Sequence, residues 1–508
     1  MPRVPAVDPS PDEVLVKAEL DDLVPEALRG APLATAPRIS PRQTNGAGSS
    51  SNGSSNGSSN GSVQRSRSRS RHLPPFKQGC PPLLIGGNGL GEGMYHSDDV
   101  IRGLEPYRMF RLALEYGMNA IDTSPYYHPS EIRLGRILRT LAPQFPRHSY
   151  YLCTKAGRNG PNKGDFDYRA QSVRRSVERS CRRMETTYLD VVLMHDVEFV
   201  AESVGPAQAA GFAARDLIAE TDDDGPVHMA CGLAPAQAGK SFGQGDDSIL
   251  EAVAELFRLK DEGIVDNVGI SGYPLPTLLR LSRLVFARLH RPLDVVLSYS
   301  HHTLQSDLLV AYLDHFQRCP LLSEEHNWDP PRVLNASPFS MGLLTDDGPP
   351  TWHPAPLKLK HACINAAKAL QQASTLSPAN QMPSLTQTAA RFGMRGSEVA
   401  RADAPGQALL PTLVGMRDVE QVHAAVDAYR VLLAGAQAAA AAAAAAASHN
   451  DDNGRRPRPL VGEDTGVERD AAAYRRYEAQ ERAETMVRDE LHRAGFQHWS
   501  WASPGGDA

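Results

Sequence analysis

The chain has 508 residues, of which 41% are hydrophobic, and 53 Lys and Arg stand against 59 Asp and Glu for a formal net charge of -6. That near balance excludes an overall field suited to nucleic acid or an anionic membrane as the main partner. No window approaches 18 consecutive apolar residues and the start (MPRVPAVDPSPDE) lacks a charged-then-apolar leader, so the expectation is a soluble cytoplasmic protein. Six scattered cysteines without a CxxC pair suit a reducing compartment.

Residues 44–62 (TNGAGSSSNGSSNGSSNGS) are a polar repeat that cannot bury apolar surface, and RSRSRSR at 65–71 extends it as a solvated run. Residues 1–80 are therefore read as a disordered N-terminal tail. From residue 81 short apolar runs alternate with amphipathic segments. Candidate strands are LLIGG (83–87), NAIDT (119–123), SYYLCTK (149–155), LDVVLMH (189–195), VDNVGIS (265–271), LDVVLSY (293–299), RVLNASP (332–338) and LLPTLVG (409–415). Their near-continuous Val, Ile, Leu and Tyr content is that of parallel strands buried on both faces.

Helical periods lie between them. In 167–186, Val173, Val177 and Cys181 mark one face; 249–263 ends on a Gly, and 275–289 carries Pro276 in its first turn. Strand then helix, eight times over, predicts an α/β fold: a (β/α)8 TIM barrel over residues 81–435. Insertions at 201–247, 318–331 and 396–408 interrupt it. Loops longer than about 15 residues are uncommon in a compact domain, and the Ala/Gly-rich composition of the first reads as disorder or a weak helix. Residues 436–468 are read as a poly-Ala and polar linker, with the alanines able to extend the eighth helix. A charged helix within 469–508, followed by two tryptophans in FQHWSWASP, is expected to pack back on the barrel.

In such a barrel, chemistry sits where the strands end. IDTSPYYHPSE (121–131) taken alone is ordinary turn chemistry. Its company is less ordinary: Asp122 closes the second strand, Tyr127 follows in the loop, Lys155 closes the third and His195 the fourth. An ammonium ~4 Å from a phenol, at an effective dielectric of ~20, favours the phenolate by roughly 4 kcal/mol, or about three pK units. Lys155 could thus make a tyrosine a usable acid and base, Asp122 would hold the ammonium, and His195 would orient a substrate oxygen.

IDTSPYYHPSEIRLG, YLCTKAG, YLDVVLMHD and VGISGYP resemble the aldo-keto reductase superfamily. The resemblance implies a catalytic tetrad of Asp122, Tyr127, Lys155 and His195, Tyr127 and not Tyr126 being five residues after the aspartate. FDYRAQSVRRSVERSCRRMETTYLDVVLMHDVEFV, ASPFSMGLLTDDGPPTWHPAP and WSWASP are similar to its sugar-dehydrogenase branch, which oxidises C1 of aldoses of the D-arabinose or L-galactose type to the lactone on ascorbate-type routes. It further implies a nicotinamide cofactor near Ser271 and Gly272, a pyrophosphate cradled by Ser337, Pro338, Phe339, Met341, Gly342 and Leu343, and an adenosine end at Gly415, Met416, Arg417 and Gln421. Gly415 and Gln421 stand where NADP-preferring members supply Lys and Arg, so NAD is expected rather than NADP. Members of the superfamily usually carry Asn after the serine that matches Ser271 and commonly Gly after the tyrosine that matches Tyr127, whereas this chain has Gly272 and His128.

GGNGLGEG (86–93) does not hold GxGxxG and reads as the loop after the first strand. Adjacent His301 and His302 would point to opposite strand faces, so no metal is expected. Nor is an obligate protein partner. Two alternatives stay open: a general carbonyl reductase running the reverse reaction, and a cofactor-binding regulatory subunit using the Ser/Arg and poly-Ala arms.

Overall fold

The apolar runs form a closed barrel of eight parallel strands, as the alternation of elements requires. The computed structural model describes residues 73–93, 102–205, 211–319, 328–376, 382–396, 400–401, 404–448 and 465–502; the Asn/Gly/Ser and Ser/Arg runs lie outside them. The strands are β1 (Leu83–Gly86), β2 (Ala120–Asp122), β3 (Tyr151–Ala156), β4 (Leu189–Met194), β5 (Val265–Gly272), β6 (Val295–Tyr299) and β7 (Arg332–Ala336). A two-stranded antiparallel hairpin, β8 (Ala400–Arg401) and β9 (Ala404–Ala408), follows before β10 (Thr412–Gly415). The barrel closes in the order β1-β10-β7-β6-β5-β4-β3-β2.

Side-chain alternation divides each strand between two environments. On β3, Tyr151 and Cys153 join Leu84, Val191, Leu193, Val295 and Leu334 inside the barrel. Leu152 and Ala156 face the surrounding helices, as do Val192, Val268 and Val296. A single helical turn, Phe76–Gly79, shuts the N-terminal end: Phe76 stands edge-on to Tyr151 at 5.2 Å, and Tyr151 donates to Pro74 O at 2.7 Å. Residues 73–80, grouped with the tail by composition, are thus the barrel's floor.

The outer helices are α1 (Glu105–Glu115), α2 (Ser130–Leu141), α3 (Ala170–Arg183), α4 (Ala213–Ala219), α5 (Pro226–Ala230), α6 (Gln244–Asp261), α7 (Leu275–Leu289), α8 (Leu308–Gln317), α9 (Leu357–Leu376), α10 (Leu385–Met394), α11 (Val419–Ser448) and α12 (Thr465–Arg493). On α3 the expected face of Val173, Val177 and Cys181 is the buried one. Helix α11 runs on through the alanine tract. All six cysteines are buried and none is in a disulfide, and among the described residues no helix is long and apolar enough to cross a membrane.

The first insertion is built into the fold through the short helices α4 and α5, the weak-helix alternative of its composition and not disorder. Ala214 and Leu217 of α4 are core residues, Tyr312 donates to Ala214 O at 3.0 Å, and Arg280 grips Asp246 at 2.5 and 2.9 Å. Composition left the choice open because few apolar side chains suffice when long-range polar partners fix the backbone. Residues 206–210 of this insertion, 320–327 of the second, and 397–399 and 402–403 of the third lie outside the described residues.

Helix α12 packs on α9 and α11, with Arg395 bonded to Glu481 and Glu484, each at 2.7 Å. Gly495 ends it at φ +80, a conformation costly for any residue with a Cβ. The segment beyond is tied down: Gln305 donates to Phe496 O and Trp499 O at 2.6 Å, and Ser500 and Gly211 exchange backbone hydrogen bonds at 2.8 Å. Trp501 is consequently 2% exposed.

Candidate active site

The alternation that fills the barrel with apolar side chains also delivers polar ones to its C-terminal mouth. One step beyond Ala120, Cys153 and Leu193, the inward positions are Asp122, Lys155 and His195. All three, with Tyr127, line one cavity of about 710 Å³. Lys155 Nζ donates to Asp122 Oδ2 at 2.5 Å and to Thr123 O at 3.0 Å, and lies 5.2 Å from the centre of the Tyr127 ring. Burial pushes the Asp122 carboxyl upward while the Lys155 ammonium beside it draws it down; the net direction is up.

Tyr127 ends a 3-10 turn, Pro125–Tyr127, whose first amide is capped by Ser124: its Oγ accepts from Tyr126 N at 3.1 Å. The same hydroxyl lies 2.9 Å from His195 Nδ1. The cap therefore fixes the tyrosine and the imidazole together, and the Tyr127 and His195 rings meet edge-on at 5.7 Å. Burial, then the carboxylates of Asp122 and Asp196, push the Tyr127 phenol well above its ordinary 10. This differs from the lowering expected from Lys155: the ammonium is already neutralised by Asp122, so desolvation wins. Burial, reinforced by Lys155 and Arg158, pushes His195 well below its ordinary 6.5, and the ring is neutral at physiological pH.

Tyr126 also lines the cavity, with Arg158 stacked over its ring at 3.8 Å. His128 is exposed and is not part of the lining, so it does not crowd the pocket.

Of the residues expected at a cofactor, Ser271, Ser337, Pro338, Phe339, Met341, Gly342, Gly415, Met416 and Gln421 line the cavity, as do Gly86, Asn88 and Gly89 from the loop after β1. Three do not. Gly272 faces the Glu198 carboxylate, which would have to shift to admit a Cβ at that position. Leu343 is fully buried behind the wall beside Tyr273 and Leu359. Arg417 is tied to Asp418 at 2.7 Å, outside the lining. His301 and His302 lie in the loop after β6 and not on the strand; burial pushes them down to about 3 and about 4, and they bond Tyr299 O and Arg395 O.

The sequence reading did not single out Arg158, Asp196, Phe199, Tyr299, Trp352, Arg391, Asp427 or Trp501 as site residues, yet all eight line the cavity. Arg158 and Asp196 were reachable by the rule already in use, since each lies within three residues of a strand end. Trp501 was not, because only the long-range ties of Gln305 and Gly211 bring it there.

Gly86, the register partner of both Asp122 and Gly415, lines the cavity together with Gly415, Ala424, Ala425 and Ala428. A Cβ on Gly415 would stand 3.1 Å from Asn88 Oδ1, and one on Gly86 3.1 Å from Gly415 Cα, so side chains there would fill the groove. A cavity of about 710 Å³ with ionisable groups at Asp122, Tyr127, Lys155 and His195 and small residues beside β10 fits a dinucleotide plus a small substrate.

The Aldo/keto reductase family model matches residues 82–446. The D-arabinose 1-dehydrogenase of Saccharomyces cerevisiae is 32% identical over 353 residues, 69% of this chain and 83% of that protein. The L-galactose dehydrogenase of Arabidopsis thaliana is 29% identical over 320 residues, 63% of this chain and 76% of that protein.

Proposed function

Because the chain belongs to the aldo/keto reductase family and is an oxidoreductase, we propose that it oxidises C1 of an aldose, of the D-arabinose or L-galactose type, to the lactone with NAD. The observation that carries the reading is the convergence of Tyr127, His195 and the Asp122-clamped Lys155 on one cavity, whose lining near them also includes Arg158, Asp196, Phe199 and Tyr299. The two relatives act, by their names, on sugars of this kind.

The cofactor's nicotinamide, when bound, accepts the hydride leaving C1. The chain's own groups handle the proton. Tyr127, as phenolate, takes the anomeric hydroxyl proton as the C1 hydride departs, and C1 gains its second bond to oxygen. Ser124 Oγ accepts from Tyr126 N and lies 2.9 Å from His195 Nδ1, and in the tautomer this reading uses the hydroxyl donates to Nδ1. That leaves the ring hydrogen on Nε2, free to donate to the substrate oxygen. Lys155 holds positive charge beside the phenol as it ionises, and Asp122 keeps the ammonium from swinging away. Ser271, Ser337 to Gly342, Gly415, Met416 and Gln421 would hold the cofactor.

The test is NAD reduction across a panel of aldoses. Turnover with D-arabinose or L-galactose is expected, and no turnover with any aldose would sink the reading. One observation favours the reverse direction: a phenol held well above 10 is protonated and suited to donating to a carbonyl oxygen. Aldehyde reduction exceeding aldose oxidation by a hundredfold in kcat/KM at neutral pH would select that alternative.

Preference for NAD rests on the adenosine end. Asp418 Oδ1 accepts from Gln421 N at 2.8 Å and Glu105 Oε1 from Val419 N at 3.0 Å, so carboxylates occupy the N-terminus of α11. Arg391, a cation in the lining, faces Asp427 at 3.7 Å. A 2′-phosphate entering here would displace or oppose these carboxylates. The expected outcome is at least a tenfold higher kcat/KM for NAD than for NADP; the inverse ratio would overturn the preference.

A further inference from the structure

The mouth of β3 and β4 carries an ion pair that hydride transfer does not require. Arg158 NH1 bonds Asp196 Oδ2, both residues line the cavity, and Asp196 Oδ2 lies 3.6 Å from His195 Nε2. Neither partner is placed cheaply. Asp196 is buried and adopts φ +54, in the left-handed region where a residue with a Cβ is strained. Burying a pair of charges costs desolvation that their attraction only partly returns, so the pair is poorly explained as a stabilising bridge.

The pair is also held rigidly. Gly157 turns the chain at φ +96, where a Cβ would collide with Tyr168, and sends Arg158 back across the mouth. Arg158 Nε donates to Gly160 O at 3.1 Å. Its guanidinium sits among three rings, 3.8 Å from Tyr126 and 5.2 Å from both Phe166 and Phe199. Two polar atoms are left over. Among the described residues no protein group bonds Arg158 NH2 or Asp196 Oδ1, and both residues line the cavity. A fixed donor and a fixed acceptor therefore stand side by side, next to the imidazole that meets the reacting oxygen.

We propose that Arg158 and Asp196 form a subsite for two neighbouring hydroxyl groups of a polyhydroxylated substrate, Asp196 Oδ1 accepting from one and Arg158 NH2 donating to the other. It rests on the reading of the substrate as an aldose and names the groups that would recognise it. A charged, desolvated fork of this kind binds a diol through two charge-assisted hydrogen bonds and leaves an apolar analogue facing unpaired polar atoms.

The test compares NADH-dependent reduction of D-glyceraldehyde with that of propanal, which lacks both hydroxyls. Wild type is expected to favour glyceraldehyde, and Asp196→Asn should lower the glyceraldehyde-to-propanal ratio of kcat/KM tenfold or more. Because a lone buried charge can unfold the chain, the paired variant Arg158→Met/Asp196→Leu is measured beside it, with thermal melting to verify folding. It should lower the ratio at least as far. A ratio within twofold of wild type in both variants, or a wild type with no preference for glyceraldehyde, overturns the subsite. A ratio that falls while no aldose is oxidised supports the subsite and sinks the aldose reading alone.

Discussion

Tyr127→Phe should lower aldose turnover by about 10²–10⁴, the range for losing a positioned proton-transfer group, while Tyr126→Phe stays within about tenfold of wild type. The two hydroxyls are adjacent in sequence but not in environment. Tyr127 faces the Lys155 ammonium and the His195 ring, whereas the Tyr126 ring is covered by the Arg158 guanidinium. The opposite order of losses in steady-state kinetics would transfer the proton-transfer role to Tyr126. The pH profile gives a second check. The Tyr127 phenol is pushed well above 10, so below that value its phenolate fraction rises about tenfold per pH unit. Oxidation by the wild type should climb with pH without a plateau below about pH 10, and the climb should vanish in Tyr127→Phe. His195 is pushed well below 6.5, so its protonation should add no acidic limb above that pH.

The barrel was legible because its strands are buried on both faces, which leaves them no freedom to alternate with polar residues. Val191 to Met194 and Val295 to Leu297 could be little else. The grouping of Asp122, Lys155 and His195 was legible for a related reason: each closes its apolar run, and strand parity puts all three inside. The adenosine end was read in part. Gly415 and Gln421 line the groove as expected, whereas the orientation of Arg417 depends on its pairing with Asp418, one residue away, which spacing does not reveal.

What stayed hidden depended on contacts between distant segments. Residues 213–219 are Ala-rich and gave a weak signal, yet Leu217 is buried and Tyr312 reaches Ala214 from α8. Trp501 stacks on Tyr273 at 4.8 Å and closes the cavity wall only because Gln305 and Gly211 hold the tail. Asp196 was not singled out in the sequence. Its positive φ, which turns it toward Arg158, has no signature in residue type.

Lys155→Met should damage both turnover and stability. Removing the ammonium strips the phenol of its neighbouring positive charge, and losses on the order of 10²–10³ in kcat follow from removing one such preorganised group. It also strands Asp122, which is 3% exposed and has its carboxylate 2.5 Å from the missing nitrogen. An uncompensated buried charge costs about 3–5 kcal/mol, so denaturant melts should show that loss of stability. The paired variant Asp122→Leu/Lys155→Met separates the effects. With both charges gone no desolvated group is left alone, and replacing a buried pair with apolar residues is often neutral or stabilising by about 1–4 kcal/mol. Stability should return while turnover stays near the level of Lys155→Met. Recovery of turnover with stability would make the pair a structural bridge, and the tetrad would shrink to Tyr127 and His195. Failure of stability to recover would mean that Lys155 is needed for its bond to Thr123 O, which holds the turn carrying Tyr127.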